Sequence, residues 1–388
     1  MADKRKVFAV TGSRSEYDIF YPILKAIDES PSLELFLFVT GAHLSEKFGY
    51  TIDHIKSDSI PIWGQAKTLI ESDSKIGRLE TLSKQVSEFG KAIEKSDADI
   101  VLSIGDREES IAVALAAGYL HKPVAHIGGG DRVKGNIDDQ VRFAVAKLSH
   151  LHFVGTQANA ERLIKMGEDE FRVHFVGNAG LDRIRTCPQM SEEDLKKEIG
   201  SPFSQSLSES IVLIQHIISS EVDEAEKQIK ITLNALRKIK RPVYAGLPNS
   251  DAGSRKIIEE LKKAEDEGLL HLYGTLPRKP FVNLLRKAGC LLGNSSLGVL
   301  EGPFLKLATV NIGNRQSGRE HGSNILFTSF KEEEIISAVE KCFTDKAFKD
   351  LVMNGENPYG DGFAAEKIAK ILENINIDSR LLDKFPTY

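Results

Sequence analysis

The feature that most constrains the fold is an alternation of short apolar runs with amphipathic segments of helical length. One series of apolar runs covers 7–10, 35–39, 100–104, 124–127, 151–154 and 173–176, and a second covers 211–214, 243–245, 269–273, 290–292 and 309–312. Helical patterns lie between most of them, for example at 21–29, 111–120 and 138–148. Buried strands separated by helices imply parallel sheets with right-handed crossovers. The sequence therefore predicts an α/β fold.

The two series of strands indicate two Rossmann-like domains. At 388 residues the chain is longer than one ordinary hydrophobic core requires. Glycines and a proline interrupt the pattern between 177 and 188. We therefore place an N-terminal domain at 1–182 and a C-terminal domain at 183–363, and expect a terminal helix within 364–388 to join the first domain.

Composition excludes several classes of function. The net charge is −5 and no long basic run occurs, so nucleic acid and acidic membranes are poor partners. The three cysteines, Cys187, Cys290 and Cys342, lie far apart without metal-ligand spacing, which predicts reduced thiols. The apolar stretch Val7–Val10 is too short for a signal sequence or a membrane span. We expect a cytoplasmic protein.

The apolar run that ends at Gly293 is followed by the pattern of an anion-binding turn. The hydroxyls of Ser295 and Ser296 come where a helix is expected to begin. Free N–H groups and the helix dipole favour phosphate at such a place. Further on, Glu301 can accept from both hydroxyls of a ribose, and Arg315 can neutralise a phosphate. The segment predicts a nucleotide-diphosphate site; the alternative is a capped helix with a solvated loop.

Carboxylates follow two strands that we expect to be close in the first sheet. Asp106 and Asp131 come after these strands, and Asp138 opens the next helical pattern. In parallel sheets ligands bind at the carboxyl ends of the strands. Carboxylates near one point raise one another's proton affinity, which suits general acid–base chemistry. The alternatives are a helix N-cap at Asp138 and a loop cap at Asp106.

Other polar residues also follow strands. Arg14 and Arg107 each follow a glycine turn, where an arginine can reach a diphosphate or form a surface ion pair. His216 and Asn249 follow strands of the second series, although a lone histidine is commonly structural. Gly128–Gly130 permits close backbone approach to a ligand, but it lacks the dinucleotide fingerprint and its acidic partner, so no NAD is predicted.

Seven motifs follow one another over nearly the whole chain: Thr11–Tyr17, Val39–Leu44, Gly105–Arg107, Asn136–Arg142, Pro248–Gly253, Gly293–Ser296 and Asn314–Glu320. Together they resemble the hydrolysing UDP-N-acetylglucosamine 2-epimerases of sialic acid pathways. The resemblance implies two Rossmann-like domains facing across a cleft, as in GT-B glycosyltransferases. It implies loss of UDP to a 2-acetamidoglucal, then hydration to a free N-acetylmannosamine-type sugar. It also implies a homodimer, no redox cofactor and no catalytic metal.

The resemblance assigns roles to individual residues. It implies catalytic roles for Asp106 and Asp138, a phosphate-side role for His216, and substrate or nucleotide contacts for Arg14, Arg107, Asn249, Ser295, Ser296, Glu301 and Arg315. Many relatives have His-Ile-Glu-Gly-Gly-Glu where this chain has Gly128 and Asp131 at the two glutamate positions. The acid–base assignment, with Asp131 as a third candidate, therefore stays open. So does the sugar, which is either N-acetylglucosamine or a 2,4-diacetamido-2,4,6-trideoxy sugar of the legionaminic acid type.

Two other functions are compatible with these residues. A GT-B glycosyltransferase would share the architecture and the nucleotide site, but it has no need for three acids at one sheet edge. A catalytically silent UDP-sugar sensor is the second alternative, because Gly128 replaces a proposed catalytic glutamate. The sensor would bind a UDP-sugar tightly without turning it over.

Overall fold

The chain forms two compact units. The computed structural model describes residues 3–72, 74–132, 137–217, 219–248, 254–274, 276–385 and 387, with only the backbone at 219 and 220. Unit 1 consists of Met1–Arg185 together with Tyr359–Tyr388, and unit 2 of Thr186–Pro358. Within the described ranges, no helix is long and apolar enough to cross a membrane.

Unit 1 contains a parallel sheet in the order β3-β2-β1-β4-β5-β6-β7. Its strands are β1 Arg5–Thr11, β2 Leu33–Val39, β3 Ile62–Gln65, β4 Ile100–Ile104, β5 Val124–Ile127, β6 Leu151–Val154 and β7 Val173–Phe175. The helices in the first segment of unit 1, which ends at Arg185, are α1 Arg14–Asp28, α2 Ile52–Ser57, α3 Lys75–Ser96, α4 Glu108–Tyr119, α5 Asp138–Leu148, α6 Gln157–Lys165 and α7 Gly180–Arg185.

Unit 2 contains a second parallel sheet in the order β10-β9-β8-β11-β12-β13. Its strands are β8 Ile211–Ile214, β9 Val243–Ala245, β10 His271–Leu272, β11 Cys290–Gly293, β12 Thr309–Ile312 and β13 Ile325–Thr328. Its helices are α8 Glu192–Glu198, α9 Ala225–Ile239, α10 Ser254–Asp266, α11 Arg278–Lys287, α12 Leu297–Leu300, α13 Gly302–Leu305, α14 Glu332–Thr344 and α15 Lys346–Asn354. The predicted fold class, α/β with two parallel sheets, is confirmed.

The strands are continuous apolar runs because both faces of each sheet are covered by helices. In β1, Val7 and Ala9 pack into a core layer with α1, whereas Phe8 and Val10 pack into the opposite layer with α3 and α4. Unit 2 repeats this arrangement, with Leu213 in one layer and Val212 in the other. Alternate side chains of one strand thus face two apolar layers, which removes the polar alternation of a half-exposed strand.

The end of the chain completes unit 1. Two further helices, α16 Ala364–Asn374 and α17 Ser379–Leu382, follow the return of the chain. Ile368 and Leu372 of α16 are fully buried in the core layer that contains α1. The carboxylate of Asp182 accepts from the backbone N–H groups of Ala364 at 3.1 Å and Ala365 at 2.9 Å. This carboxylate satisfies donors at the start of α16 that have no partner within the helix.

Each sheet has one point where the strand order reverses. In unit 1 this point lies between β1 and β4, and in unit 2 between β8 and β11. Open parallel sheets bind ligands at such points, outside the carboxyl ends of the strands. The turns after β1 and β4 carry Arg14 and Arg107, and the turns after β8 and β11 carry His216 and Ser295. Both reversal points therefore coincide with residues that the sequence predicts to be functional.

Candidate active site

An arginine from α5 holds Asp106 in place at the edge of unit 1. The Nη2 atom of Arg142 donates to Oδ2 of Asp106, and its Nη1 atom donates to the carbonyl of Gly128 at 2.6 Å. The side chain of Arg142 is buried, whereas the side chain of Asp106 is 23% exposed. The pair thus connects the turn after β4 to the turn after β5, with the carboxyl group of Asp106 still accessible.

The pKa of Asp106 is raised above its ordinary value. Burial is the largest cause, and the nearby carboxylate of Asp138 adds to it. The guanidinium groups of Arg142 and Arg107 act in the opposite direction. A carboxyl group with raised proton affinity and partial exposure has the properties of a general acid–base group.

The other two predicted acids have different surroundings. Asp138 is the first residue of α5, and its charge is close enough to affect Asp106. Asp131 lies in the loop beyond β5, where its Oδ1 atom accepts from the backbone N–H of Arg132 at 3.0 Å. The structure therefore brings Asp106 and Asp138 together, and gives Asp131 a local contact.

Two buried carboxyl groups beside Arg107 were missing from the predicted site. Glu16 of α1 and Glu109 of α4 are 8% and 7% exposed. The Nε atom of Arg107 lies 3.8 Å from Oε2 of Glu109. Glu16 lies inside the Thr11–Tyr17 motif, which is a signal that sequence reasoning can use. Glu109 has no comparable signal, because it reaches this edge through the packing of α4.

His126 of β5 binds the turn that carries Asp106. Its ring is fully buried, and Nε2 donates to the carbonyl of Gly105 at 2.8 Å. Burial lowers the pKa of His126 to about 3, so the ring is neutral. A neutral imidazole bound to the turn after β4 fixes the backbone that presents Asp106.

Two of the three glycines after β5, Gly128 and Gly130, are required for different structural reasons. Gly128 has φ of +80°, and a Cβ there would lie 3.6 Å from Nη1 of Arg142, so its carbonyl can turn toward that arginine. At Gly130 a Cβ would lie 2.6 Å from the carbonyl oxygen of Asn159. Close packing against α6 accounts for Gly130 without a ligand.

Asn294 joins the two turns at the reversal point of unit 2. Its Oδ1 atom accepts from the backbone N–H of His216 at 2.7 Å, and its Nδ2 atom donates to the carbonyl of His216 at 2.9 Å. The preceding Gly293 has φ of +134°, and a Cβ there would lie 2.0 Å from the carbonyl oxygen of Ile214. Only glycine permits this approach of β11 to β8. Asn294 belongs to the Gly293–Ser296 motif of the sequence, but no role of its own was predicted for it.

The serines follow directly at the start of α12. Ser296 is the N-cap residue, and its hydroxyl makes no capping hydrogen bond. The hydroxyl of Ser295 accepts from the backbone N–H of Leu297 at 3.4 Å. The helix that begins here has only four residues, so its dipole is weak. Anion binding here depends on individual hydroxyl and N–H donors.

Arg315 and Glu301 lie close to this turn in the second unit. Nη1 of Arg315 donates to the carbonyl of Asn294 at 3.1 Å, and Nε2 of the buried Gln316 donates to the same carbonyl at 3.0 Å. Burial raises the pKa of Glu301 to about 7, opposed by the charge of Arg278. Unit 2 thus places a hydroxyl pair, an arginine and a titratable carboxyl group around one turn.

Three predicted residues remain to be placed. Arg14 is exposed in the first turn of α1, and the side chain of Arg107 is half exposed after β4. Asn249 lies outside the described residues. In the part of the chain that the structure describes, no three His, Cys, Asp or Glu side chains form a group that could hold a metal ion.

Comparisons with known proteins agree on one family. A family model described as UDP-N-acetylglucosamine 2-epimerase matches residues 25–373. A UDP-N,N'-diacetylbacillosamine 2-epimerase (hydrolyzing) from Legionella pneumophila is 32% identical over 99% of this chain and 100% of its own length. A GDP/UDP-N,N'-diacetylbacillosamine 2-epimerase (hydrolyzing) from Campylobacter jejuni is 32% identical over 98% and 99%. A UDP-GlcNAc 2-epimerase from Neisseria meningitidis, solved with UDP-GlcNAc bound, has the same fold, with a TM-score of 0.77, 22% identity and coverage of 95% and 99%.

Proposed function

The chain belongs to the UDP-N-acetylglucosamine 2-epimerase family, and from this premise we propose that it is a hydrolysing 2-epimerase of a UDP-linked 2-acetamido sugar. The observation that carries the proposal is the carboxyl group of Asp106, whose pKa burial and Asp138 raise, and which lies at the edge where open parallel sheets bind ligands. An acid–base group is what removal and return of a proton at C2 require.

The proposed substrate is a UDP-2,4-diacetamido-2,4,6-trideoxyhexose. N,N'-Diacetylbacillosamine is a sugar of this kind, and both relatives at 32% identity carry its name. The glycine at position 128, where the resemblance expects glutamate, supports a sugar pocket that differs from that for N-acetylglucosamine. UDP-N-acetylglucosamine is the alternative substrate. The free product would then serve nonulosonic acid synthesis, of the legionaminic or sialic type.

The reaction has two steps. A carboxylate takes the C2 proton, the C1–O bond breaks, and its electron pair leaves with UDP to give a C1=C2 double bond. Water then adds its hydroxyl to C1 while an acid returns a proton to the other face of C2. Because the C2 proton is weakly acidic, the departing diphosphate must be strongly stabilised.

We assign Asp106 and Asp138 to the proton transfers, with Asp131 as the further candidate. Arg14, Arg107, Arg315 and His216 stabilise the diphosphate in this proposal. Ser295 and Ser296 bind phosphate oxygens, Glu301 accepts from the ribose hydroxyls, and Asn249 contacts the nucleotide. Two observations support these roles. The side chain of Arg107 is half exposed, and the hydroxyl of Ser296 makes no capping hydrogen bond.

Proton NMR in deuterated water tests the proposal. The protein is incubated separately with UDP-N,N'-diacetylbacillosamine and with UDP-N-acetylglucosamine. We expect UDP and a free 2-epimerised sugar carrying deuterium at C2, formed faster from the diacetamido substrate. Equal rates, or faster turnover of UDP-N-acetylglucosamine, would overturn the proposed substrate. The proposed reaction would still stand.

Two results would contradict the proposed reaction and favour one of the alternative functions. Tight binding of both UDP-sugars without turnover favours the sensor. Transfer of the sugar to an added acceptor with retention of hydrogen at C2 favours a glycosyltransferase.

We also propose that the enzyme is a homodimer. Light scattering of the purified protein measures its mass in solution and so tests this proposal directly.

A further inference from the structure

Two buried carboxyl groups lie beside Arg107 without a full set of hydrogen-bond partners. Oε2 of Glu16 and Oε2 of Glu109 each have no hydrogen-bond partner among the described residues. Both side chains are more than nine-tenths buried. An ionised carboxylate is expensive to bury with an unsatisfied oxygen, so two of them at one point are unfavourable.

The packing distinguishes the two groups. Oε1 of Glu109 accepts from Nε2 of Gln85 at 3.1 Å, and its Oε2 faces the guanidinium of Arg107 at 3.8 Å. A Cβ on Gly12 or Gly41 would lie 2.3 or 2.8 Å from Oε1 of Glu109, so both glycines leave room for this carboxylate. Burial raises the pKa of Glu109 above its ordinary value, but the guanidinium of Arg107 and the amide of Gln85 oppose that rise and favour the ionised form.

Glu16 has weaker support for a negative charge. Its carboxyl group receives a hydrogen bond from the backbone of Gly12, while Glu109 and Asp106 face it with negative charge and Arg107 with positive charge. Burial is the largest influence and, together with Glu109, raises its pKa well above the ordinary value. Of the two groups, Glu16 therefore has the stronger preference for its protonated form.

We propose that Glu16 is held as a neutral carboxylic acid, so that Arg107 keeps a net positive field for an anionic diphosphate substrate, and that Glu16 and Glu109 are positioning residues for Arg107. Glu109 fixes the guanidinium. Glu108 also faces Arg107, but it is already paired with Arg78. If Glu16 ionised as well, an additional carboxylate would face the one guanidinium and weaken its attraction for a diphosphate.

The proposal predicts a specific pH dependence of substrate binding. Burial raises the pKa of Glu16 well above its ordinary value, so this group keeps its proton to a higher pH than an exposed glutamate does. With Glu16 neutral at neutral pH, as proposed, KM for the UDP-sugar should rise toward alkaline pH as Glu16 loses its proton, while kcat changes less. The identity of the anion in this inference rests on the proposed function. The protonation state of Glu16 is independent of that function.

Infrared difference spectroscopy tests the protonation state without any substrate. The wild-type protein should show a carboxylic acid C=O band at neutral pH that is absent from Glu16→Gln. In Glu109→Gln the band should titrate at lower pH, because a negative neighbour has been removed. A wild-type spectrum without a band that depends on Glu16 overturns the proposal even if the enzyme turns over no UDP-sugar.

Kinetics with the UDP-sugar test the positioning role. Glutamine is a neutral isostere of the protonated acid, so Glu16→Gln should keep KM within about twofold of wild type at neutral pH and lose the alkaline rise. Glu109→Gln should raise KM on the order of tenfold because Arg107 loses its ionic partner. Glu108→Gln, one residue away on α4, is the matched control and should change KM by less than about twofold.

The opposite kinetic pattern would contradict the positioning role. If kcat of Glu16→Gln falls by about a hundredfold or more with KM unchanged, Glu16 transfers a proton in the reaction. Thermal unfolding of each variant shows whether it is folded. Should Glu16→Gln fail to fold, the infrared titrations of the wild type and of Glu109→Gln still decide the protonation state.

Discussion

At the scale of single residues, the candidate site is a set of carboxyl groups whose charge is controlled by burial. Burial is the largest cause of the raised pKa at Asp106 and at Glu301, although the two residues belong to different units. Asp106 and Asp138 follow strand ends in the sequence, so their place at one edge could be predicted. Arg142 could not be assigned to Asp106 from sequence, because the pair joins α5 to a turn thirty-six positions earlier.

Replacement of Asp106 tests the acid–base assignment. Asp106→Asn should lower kcat by about a hundredfold to ten-thousandfold, because asparagine has no titratable group for the C2 proton. Affinity for UDP, measured by calorimetry, should stay nearly unchanged because the uracil, ribose and phosphate contacts are assigned elsewhere. Asp139→Asn in the same region is the control, with near-normal kcat. A fully active Asp106→Asn enzyme contradicts the assignment.

Glu301 should make UDP binding depend on pH. With a pKa raised to about 7, the free protein carries a proton on Glu301 at lower pH, whereas accepting from two ribose hydroxyls requires the ionised form. Affinity should thus fall up to about tenfold for each pH unit below 7. Calorimetry between about pH 8 and about pH 6 measures this slope.

Glu301→Gln is the control for that slope. The variant should bind UDP more weakly at high pH and show a flatter pH dependence. Protonation of the UDP phosphate contributes equally to both proteins, so the difference between the two slopes belongs to Glu301. Identical slopes would remove Glu301 from the ribose site.

At the scale of elements, interior strands were predicted better than edge strands. The predictions at 100–104, 124–127 and 151–154 match β4, β5 and β6, whose residues are all buried. Of the four edge strands, β7 and β10 were predicted at 173–176 and 269–273, whereas β3 and β13 were missed. Most of their residues are only partly buried, so no continuous apolar run is required there. A glycine turn leading from β11 into a helix was predicted and is present, but the helix α12 has only four residues.

The close approach of β11 to β8 should make Gly293 sensitive to substitution. Gly293→Ala places a Cβ against the carbonyl of Ile214 and should lower the free energy of unfolding by about 2 to 4 kcal/mol. Gly268→Ala is the control, since Gly268 also has positive φ but nothing within 4 Å of an added Cβ. Its cost should be about 1 kcal/mol.

Denaturant unfolding of the two glycine variants measures this difference. UDP binding should also weaken in Gly293→Ala, because Asn294, Ser295 and Ser296 follow directly. Equal stabilities for the two variants would show that β8 shifts to accommodate the methyl group at no cost.

At the scale of the whole molecule, chain segments distant in sequence complete unit 1. The buried guanidinium of Arg172 donates to the carbonyls of Arg380, Leu381 and Asp383. Asp182 binds the start of α16. These contacts hold the C-terminal segment on a sheet whose last strand ends nearly two hundred positions earlier.

Removal of the Asp182 carboxylate should loosen this connection. Asp182→Ala leaves two N–H groups of α16 without acceptors and should destabilise unit 1 by about 1 to 3 kcal/mol. Hydrogen exchange measured by mass spectrometry should accelerate in α16. Asp361→Ala, which removes an exposed ion pair with Lys367, is the control with an effect below about 1 kcal/mol. Unchanged exchange in α16 would mean that its apolar contacts alone hold it.

The sequence by itself determined the two parallel sheets and the strand ends that carry polar residues. It could do so because doubly covered strands must be apolar and because ligands of parallel sheets bind beyond their carboxyl ends. Only the tertiary structure decided which charges face one another. Glu16, Glu109 and Arg142 reach the edge near Asp106 from three different helices. Burial and Coulomb interactions depend on distances between such elements, and local sequence does not encode them.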